Sequence, residues 1–282
     1  TPHCLEKADM SWWTSPASDT QVTHGARFWL YVVAAIIMLL LVIPTFIVIP
    51  MSFSDSQYLE FPPSNWSVRW YDEYFGSSKW MRATVTSLQL GVLTMLLATP
   101  LGTMAAYALF VSRHKVTKVI FMLLITPLIV PVILIAIGVF YAFGRVGLNN
   151  SIPGLVIAHT AMATPLVMIV ITAALRSYDL NQERVARSLG ATRLKAFFTI
   201  TLPQIKFSVI TSALLSFLTS FDEVIIAIFV SGGSNATLTK RMFSALRDFI
   251  DPTIAAISTI MVLVSTILLL ATQAIGSKGK KS

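Results

Sequence analysis

Charge is scarce in this chain: 12% of its 282 residues are Asp, Glu, Lys or Arg, and the acids number 13 against 21 Lys and Arg. With 55% hydrophobic residues and a mean hydropathy of +0.74, it cannot clothe a water-facing surface, which excludes an ordinary soluble domain and makes lipid its main solvent. Cysteine is nearly absent. Cys4 stands alone in a polar tail, so neither a disulfide framework nor a thiolate cluster can form and no redox role falls to it. The four histidines (3, 24, 114 and 159) show no metal-ligand spacing, and no nucleophile shares a segment with a His and an acid. No catalytic residue, metal or cofactor is therefore expected. The pattern G-x-x-x-x-G-K-[ST] is missing too; Ser231-Gly-Gly-Ser-Asn-Ala-Thr and the tail Gly276-Ser-Lys-Gly-Lys-Lys both fail it. Any nucleotide hydrolysis is expected from a separate chain.

What the chain does have is apolar length. Six runs, about 28–50, 83–111, 119–143, 153–175, 207–230 and 253–275, each suffice for a hydrocarbon core of about 30 Å, which takes roughly 20 helical residues. They predict an all-α, polytopic membrane protein with six transmembrane helices and both termini on one side. Fourteen of the 21 basic residues fall in the 1–27 tail, the 112–118 and 176–206 loops and the 276–282 tail, against seven in the opposite loops. By the positive-inside rule both tails are cytoplasmic, and the formal charge of +8 reports topology, with no nucleic-acid partner implied. The first run is too long for a signal-peptide core and lacks a convincing cleavage site, so it reads as a retained helix; Thr1 need not be the native start.

Several features punctuate these runs. Pro44, Pro100, Pro127, Pro131 and Pro165 each remove a backbone donor and strain the preceding turn. Small residues from Thr99 to Ala106 suit close helix packing. The 51–82 loop holds Tyr58, Phe61, Trp66, Trp70, Tyr71, Tyr74 and Trp80, which fits an interfacial belt or a platform for an extracytoplasmic partner. His159 is either a packing residue bonded to a carbonyl or a proton relay. Asp222 and Glu223 are the adjacent acids inside an apolar run, roughly 24 Å along a helix from Lys206. Charge at that depth points to a translocation path for a cation, or to an ion pair or cap at a break in the helix.

The most informative segment is Glu183 to Pro203, basic and amphipathic between two apolar runs. From Asp179 to Leu189 the spacing is helical, with Leu180, Val185, Ala186 and Leu189 apolar and Glu183, Arg184 and Arg187 polar; Ser188 completes the turn before Gly190 and Ala191. Gly190 offers a turn or C-cap, and Thr192 caps a second helix with Leu194, Phe197, Phe198 and Ile200 on one face, running past Leu202 to Pro203. Such a knob transmits a rigid displacement that a loose loop would absorb. The alternative is a basic hairpin lying on anionic lipid.

The segment resembles the signature of permease subunits of binding-protein-dependent ABC importers: E-A-A, three residues, Gly, nine residues, I-x-L-P. Val185-Ala186 stand at the two alanines, Gly190 at the glycine, and Ile200, Leu202 and Pro203 close the motif. The family's glutamate position holds Arg184, with Glu183 one residue early, so a salt-bridge role does not carry over. The likeness spans roughly 28–275, through Pro100 to Leu109, Pro127-Leu-Ile-Val-Pro131 and Ser220-Phe-Asp-Glu-Val, and is similar to the polyamine (spermidine/putrescine) branch.

It implies a type I importer permease fold in a bacterial inner membrane, paired with a second homologous permease over two copies of an ABC ATPase and served by an extracytoplasmic solute-binding protein. Residues 179–203 are then the coupling segment seated on the ATPase. The implied cargo is a polyamine or related cation; an iron complex, thiamine, an opine or an organophosphonate remain open, and an intramembrane enzyme or a passive channel are the readings outside this class.

Overall fold

The computed structural model describes residues 27–112 and 114–278. Cys4, Lys7, Arg113, Lys280 and Lys281, and with them most of both tails, lie outside the described residues. Among the described residues the protein is helical, with one isolated antiparallel bridge, Ser54 to Trp66.

The first run forms α1 (Phe28–Met51), which passes through Pro44 and buries none of its residues. A short outer helix, α2 (Arg69–Gly76), leads into α3 (Ser78–Val111), which starts earlier than the run at 83. The third run is not one helix. Its two prolines sit where it breaks: α4 (Thr117–Ile125) ends in a 3-10 turn at Thr126–Leu128 containing Pro127, and α5 (Val132–Val146) starts after Pro131, bent by 94°. Pro131 has no N–H to continue the ladder and biases the residue before it away from helix.

The fourth run is α6 (Ile152–Arg176), capped by the Ser151 hydroxyl and continuous through the buried Pro165. Then come α7 (Leu180–Ser188), α8 (Arg193–Ala196), a π turn (Phe197–Thr201) and α9 (Leu202–Gln204). The fifth run departs from expectation as well: α10 (Lys206–Asp222) stops at Glu223 and a separate α11 (Ile225–Val230) follows. Outer α12 (Leu238–Asp248) and α13 (Thr253–Lys278) complete the order. By length and composition three helices can cross a membrane, or five if each bent pair counts as one; the apolar stretch Thr253–Leu268 is shorter.

Helices α3, α6 and α10 form the centre, and small residues make it possible. A Cβ on Gly102 would lie 2.7 Å from Val167 Cβ and Cγ1, so only glycine lets α3 approach α6 this closely. Ala98, Ala106 and Ala163 pack beside it with Met168 and Ile171. Along α10, Ser212, Ser216 and Ser220 recur every four residues and are buried, the last two against α3. Ser216 Oγ lies 3.3 Å from Thr99 Oγ1, and Ser220 Oγ donates to Thr94 Oγ1 at 3.2 Å. Small hydroxyls suit an apolar solvent, since each can also bond its own helix, as Ser216 does to the Ser212 carbonyl at 2.8 Å. Large apolar side chains turn outward instead, as with Leu101, Met104 and Leu123.

Candidate functional site

Two places gather the residues singled out by sequence, at opposite ends of the bundle. α3 joins them: its start carries α2 and α12, and its end meets α7.

At the α7 end, Asp179 Oδ1 caps the helix by accepting from the Asn181 amide at 2.9 Å. Gly190 has φ of +94°, a left-handed conformation that closes the helix and that a side chain would strain. Thr192 then caps α8, its Oγ1 accepting from the Lys195 amide at 3.3 Å. The second helix expected from 192 to 203 is interrupted by the π turn at Phe197–Thr201, and an 80° bend at Ile205 turns the chain from Arg193–Gln204 into α10.

Burial inverts the polarity that spacing suggested. Glu183 is 3% exposed, whereas Val185 is 58%, Leu189 83%, Leu194 69% and Phe198 60% exposed. The Glu183 carboxylate accepts from the Tyr107 hydroxyl at 2.7 Å and from Thr201 Oγ1 at 3.2 Å; Thr201 Oγ1 also lies 3.0 Å from the Tyr178 hydroxyl. Phe197 is buried under Tyr107, ring centroids 4.6 Å apart. Glu183 is thus a strut tying α7 to α3 and to the π turn. Sequence reasoning missed Tyr107, Tyr178 and Thr201, because nothing local marks a donor 76 residues away. Around the exposed apolar residues stand Arg184, Arg187, Arg193 and Lys195, and none of them makes an ion pair among the described residues. Arg184 donates to Asn181 Oδ1 at 3.2 Å, and Ser188 to the Val185 carbonyl at 2.8 Å. Ala186, Ala191, Leu202 and Pro203 complete the backbone of this rigid knob, Ala191 donating to the Ala186 carbonyl at 3.1 Å.

At the other end the adjacent acids part company. Glu223 is extended, φ −70° and ψ 115°, and its Oε1 accepts from the amides of Ile225 and Ile226 at 2.9 and 3.0 Å. It caps α11, where negative charge meets the positive end of the helix. Lys240, from α12, donates to the Ile228 carbonyl at 3.1 Å and to the Ser231 carbonyl, closing the opposite end of the same helix. Burial holds the Lys240 ammonium below the usual lysine range.

Asp222 makes no such bond. It is exposed and lines an open groove of about 560 Å³ with Thr239, Met242, Phe243, Met261 and Ser265. Of the outer aromatics, Trp70, Tyr74 and Trp80 are buried, Tyr74 and Trp80 packing with Leu238 and Ile257 as core. Tyr71 bonds Ser52 Oγ at 2.7 Å, while Tyr58, Phe61 and Trp66 are exposed. His159 is 1% exposed and bonds Ser220 Oγ through Nδ1 at 2.9 Å, joining the hydroxyl ladder rather than a carbonyl. No group of three metal-ligating side chains occurs among the described residues.

Comparison with known proteins gives this geometry a context. Residues 98–280 match the model of the family described as binding-protein-dependent transport system inner membrane component. The spermidine/putrescine transport system permease protein PotC of Haemophilus influenzae is 30% identical over 239 residues, covering 84% of this chain and 92% of that protein. The putrescine transport system permease protein PotI of Escherichia coli is 34% identical over 240 residues, covering 80% and 84%. Among solved structures, a bacterial ABC transporter involved in the import of the acidic polysaccharide alginate superposes with a TM-score of 0.71 at 16% identity, over 90% of this chain and 96% of that one, a likeness of fold.

Proposed function

The chain belongs to the family of binding-protein-dependent transport system inner membrane components, and from that premise we propose that it forms half of a path for polyamines or related small cations and couples that path to a separate ATPase. As a multi-pass inner-membrane permease of an ABC transporter it is a non-catalytic subunit. The bent pair α4 with α5 counts as one crossing and α10, continued by α11, as another, and with α1, α3, α6 and α13 they make six, both termini cytoplasmic. A second permease supplies the other half, two copies of an ATPase sit beneath, and an extracytoplasmic binding protein delivers the cargo.

The observation that carries the coupling role is the pairing of a buried strut with an exposed apolar face. Glu183 fixes the knob to α3, while Val185, Leu189, Leu194 and Phe198 are exposed, uncovered by their own chain. A surface of that kind marks a protein partner. The basic rim, Arg184, Arg187, Arg193 and Lys195, calls for acidic groups around the partner's cleft. Arg184 takes the place of the family's glutamate in sequence, and Glu183 acts inside the knob rather than on its face.

For the cargo, the names of the two relatives are joined by the Asp222 groove, where a carboxylate with no ion pair among the described residues and the Phe243 ring supply the two side-chain types that hold an alkylammonium. Glu223 contributes to the path by shaping it through its cap on α11.

The test is a pull-down of the tagged chain in mild detergent with identification of partners by mass spectrometry, alongside Gly190→Pro, followed by uptake of labelled putrescine and spermidine. An ATPase and a second permease that co-purify with the wild type, with the ATPase lost from the variant, support coupling. A complex that assembles but takes up neither polyamine removes the cargo assignment and leaves coupling intact.

A further inference from the structure

On the membrane flank at the knob end, α3, α4 and α6 enclose a groove of about 240 Å³ that no transport step uses. Its walls are apolar: Ala106 and Phe110 from α3, Phe121 and Met122 from α4. Two cations stand over it, Lys118 in the first turn of α4 and Arg176 in the last turn of α6. Both are exposed, and neither has a hydrogen bond or ion pair among the described residues. No acid lines the groove.

Helix α4 depends on this groove for its seat. Phe121 packs against the core formed by Ala106, Ile171 and Leu175, whereas Val119 and Leu123 point outward. Helices so placed leave a wedge between them, apolar in depth and cationic at its mouth. We infer that this wedge, formed by Lys118, Arg176 and the Phe110 and Phe121 rings, is a binding site for one anionic phospholipid, its phosphate between the two cations and the start of an acyl chain along the rings.

Two features favour a lipid over a free anion or a protein. The apolar walls continue under the charges, where a soluble oxyanion gains nothing, and the site opens at the level where a spanning helix leaves the bilayer. Unpaired basic residues between spanning helices on the cytoplasmic side suit anionic headgroups. The leaflet follows from the orientation proposed above; the binding itself does not depend on the transport assignment. A bound lipid would brace α4 against α3 and α6 next to the 94° bend, making the set of the broken third crossing responsive to membrane composition.

The test is native mass spectrometry of the full chain, released from detergent after incubation with phosphatidylglycerol or phosphatidylcholine. One phosphatidylglycerol retained per chain where phosphatidylcholine is lost is the expected result. Lys118→Gln with Arg176→Gln should weaken retention about thirtyfold, from about 1 kcal/mol per cation beside an anionic surface. Lys115→Gln with Lys206→Gln, removing equal charge nearby, should leave retention unchanged, and both pairs should melt with the wild type because all four side chains are exposed or half-exposed. Equal loss in the two pairs, or full retention in the first, overturns the proposal. Displacement of the lipid by free glycerol phosphate would show an anion site without a lipid requirement and overturns it as well.

Discussion

Replacing Glu183 by alanine tests whether the knob is a rigid body or a flexible hairpin. The carboxylate is 3% exposed and receives two hydroxyls, Tyr107 from α3 at 2.7 Å and Thr201 from the π turn at 3.2 Å. Hydrogen bonds to a charged group contribute about 1.5–3 kcal/mol each, and a hydroxyl left dry and unpaired costs about 1–3 kcal/mol. Offset by the relief of a buried charge, the net loss in Glu183→Ala is about 3 kcal/mol, enough to lower the melting temperature by about 6–12 °C at roughly 2–4 °C per kcal/mol. Glu183→Gln keeps the shape, an acceptor for Tyr107 and a donor toward Thr201, so it should lie within about 1 kcal/mol of wild type. Tyr107→Phe combined with Glu183→Ala should lose less than the two singles summed, by about 1 kcal/mol or more, since the two groups share one bond. The assay is thermal melting of the purified chain together with retention of the ATPase. An alanine variant that melts within about 2 °C of wild type, at roughly that same conversion, and still holds its ATPase would refute the strut.

Other perturbations follow from single contacts. Gly102→Ala should destabilise the chain by about 1–3 kcal/mol, read as a lower melting temperature, because its Cβ would meet Val167 at 2.7 Å on a packed helix face. Gly190→Ala, strained at φ +94°, should cost about 1 kcal/mol and loosen ATPase binding less than Gly190→Pro does, measured by pull-down. Glu223→Ala should cost about 1 kcal/mol through the lost cap on α11, with uptake reduced while the complex still assembles. Asp222→Asn, which breaks no bond among the described residues, should lower uptake of a cationic substrate with no change in melting; unchanged transport removes it from the path.

Much of the architecture was legible in sequence because lipid imposes length and proline imposes breaks. The apolar runs located α1, α6 and α13 to within a few residues, and Pro127 and Pro131 stand at the bend, although a lost donor and a strained turn do not foretell an angle as large as 94°. The break after Asp222 had a weaker signal, two acids side by side, and its cause lies in Glu223 folding back onto the amides of α11. What the pattern hid was coverage. Apolar spacing in the knob shows that a face exists but not which chain covers it, so nothing in it tells that Glu183 is buried and Leu189 exposed. The outer aromatics were hidden for the same reason: Trp80 finds Leu238 and Ile257 far along the chain, and Trp66 stays exposed.

Ser216 shows how a hydroxyl stays satisfied at the centre of the molecule while packing is left to glycine. Ser216 holds both a neighbour on α3, at 3.3 Å, and a carbonyl of its own helix, at 2.8 Å, so losing the first leaves the second in place. The Ser216 hydroxyl therefore does not lock α10 to α3; the lock is steric, since a Cβ on Gly91 would lie 2.8 Å from the Phe217 ring of α10, just as one on Gly102 would lie 2.7 Å from Val167 of α6. α3 thus closes on a glycine against both of its central neighbours, and a bulkier side chain at either position would pry the bundle open from its axis.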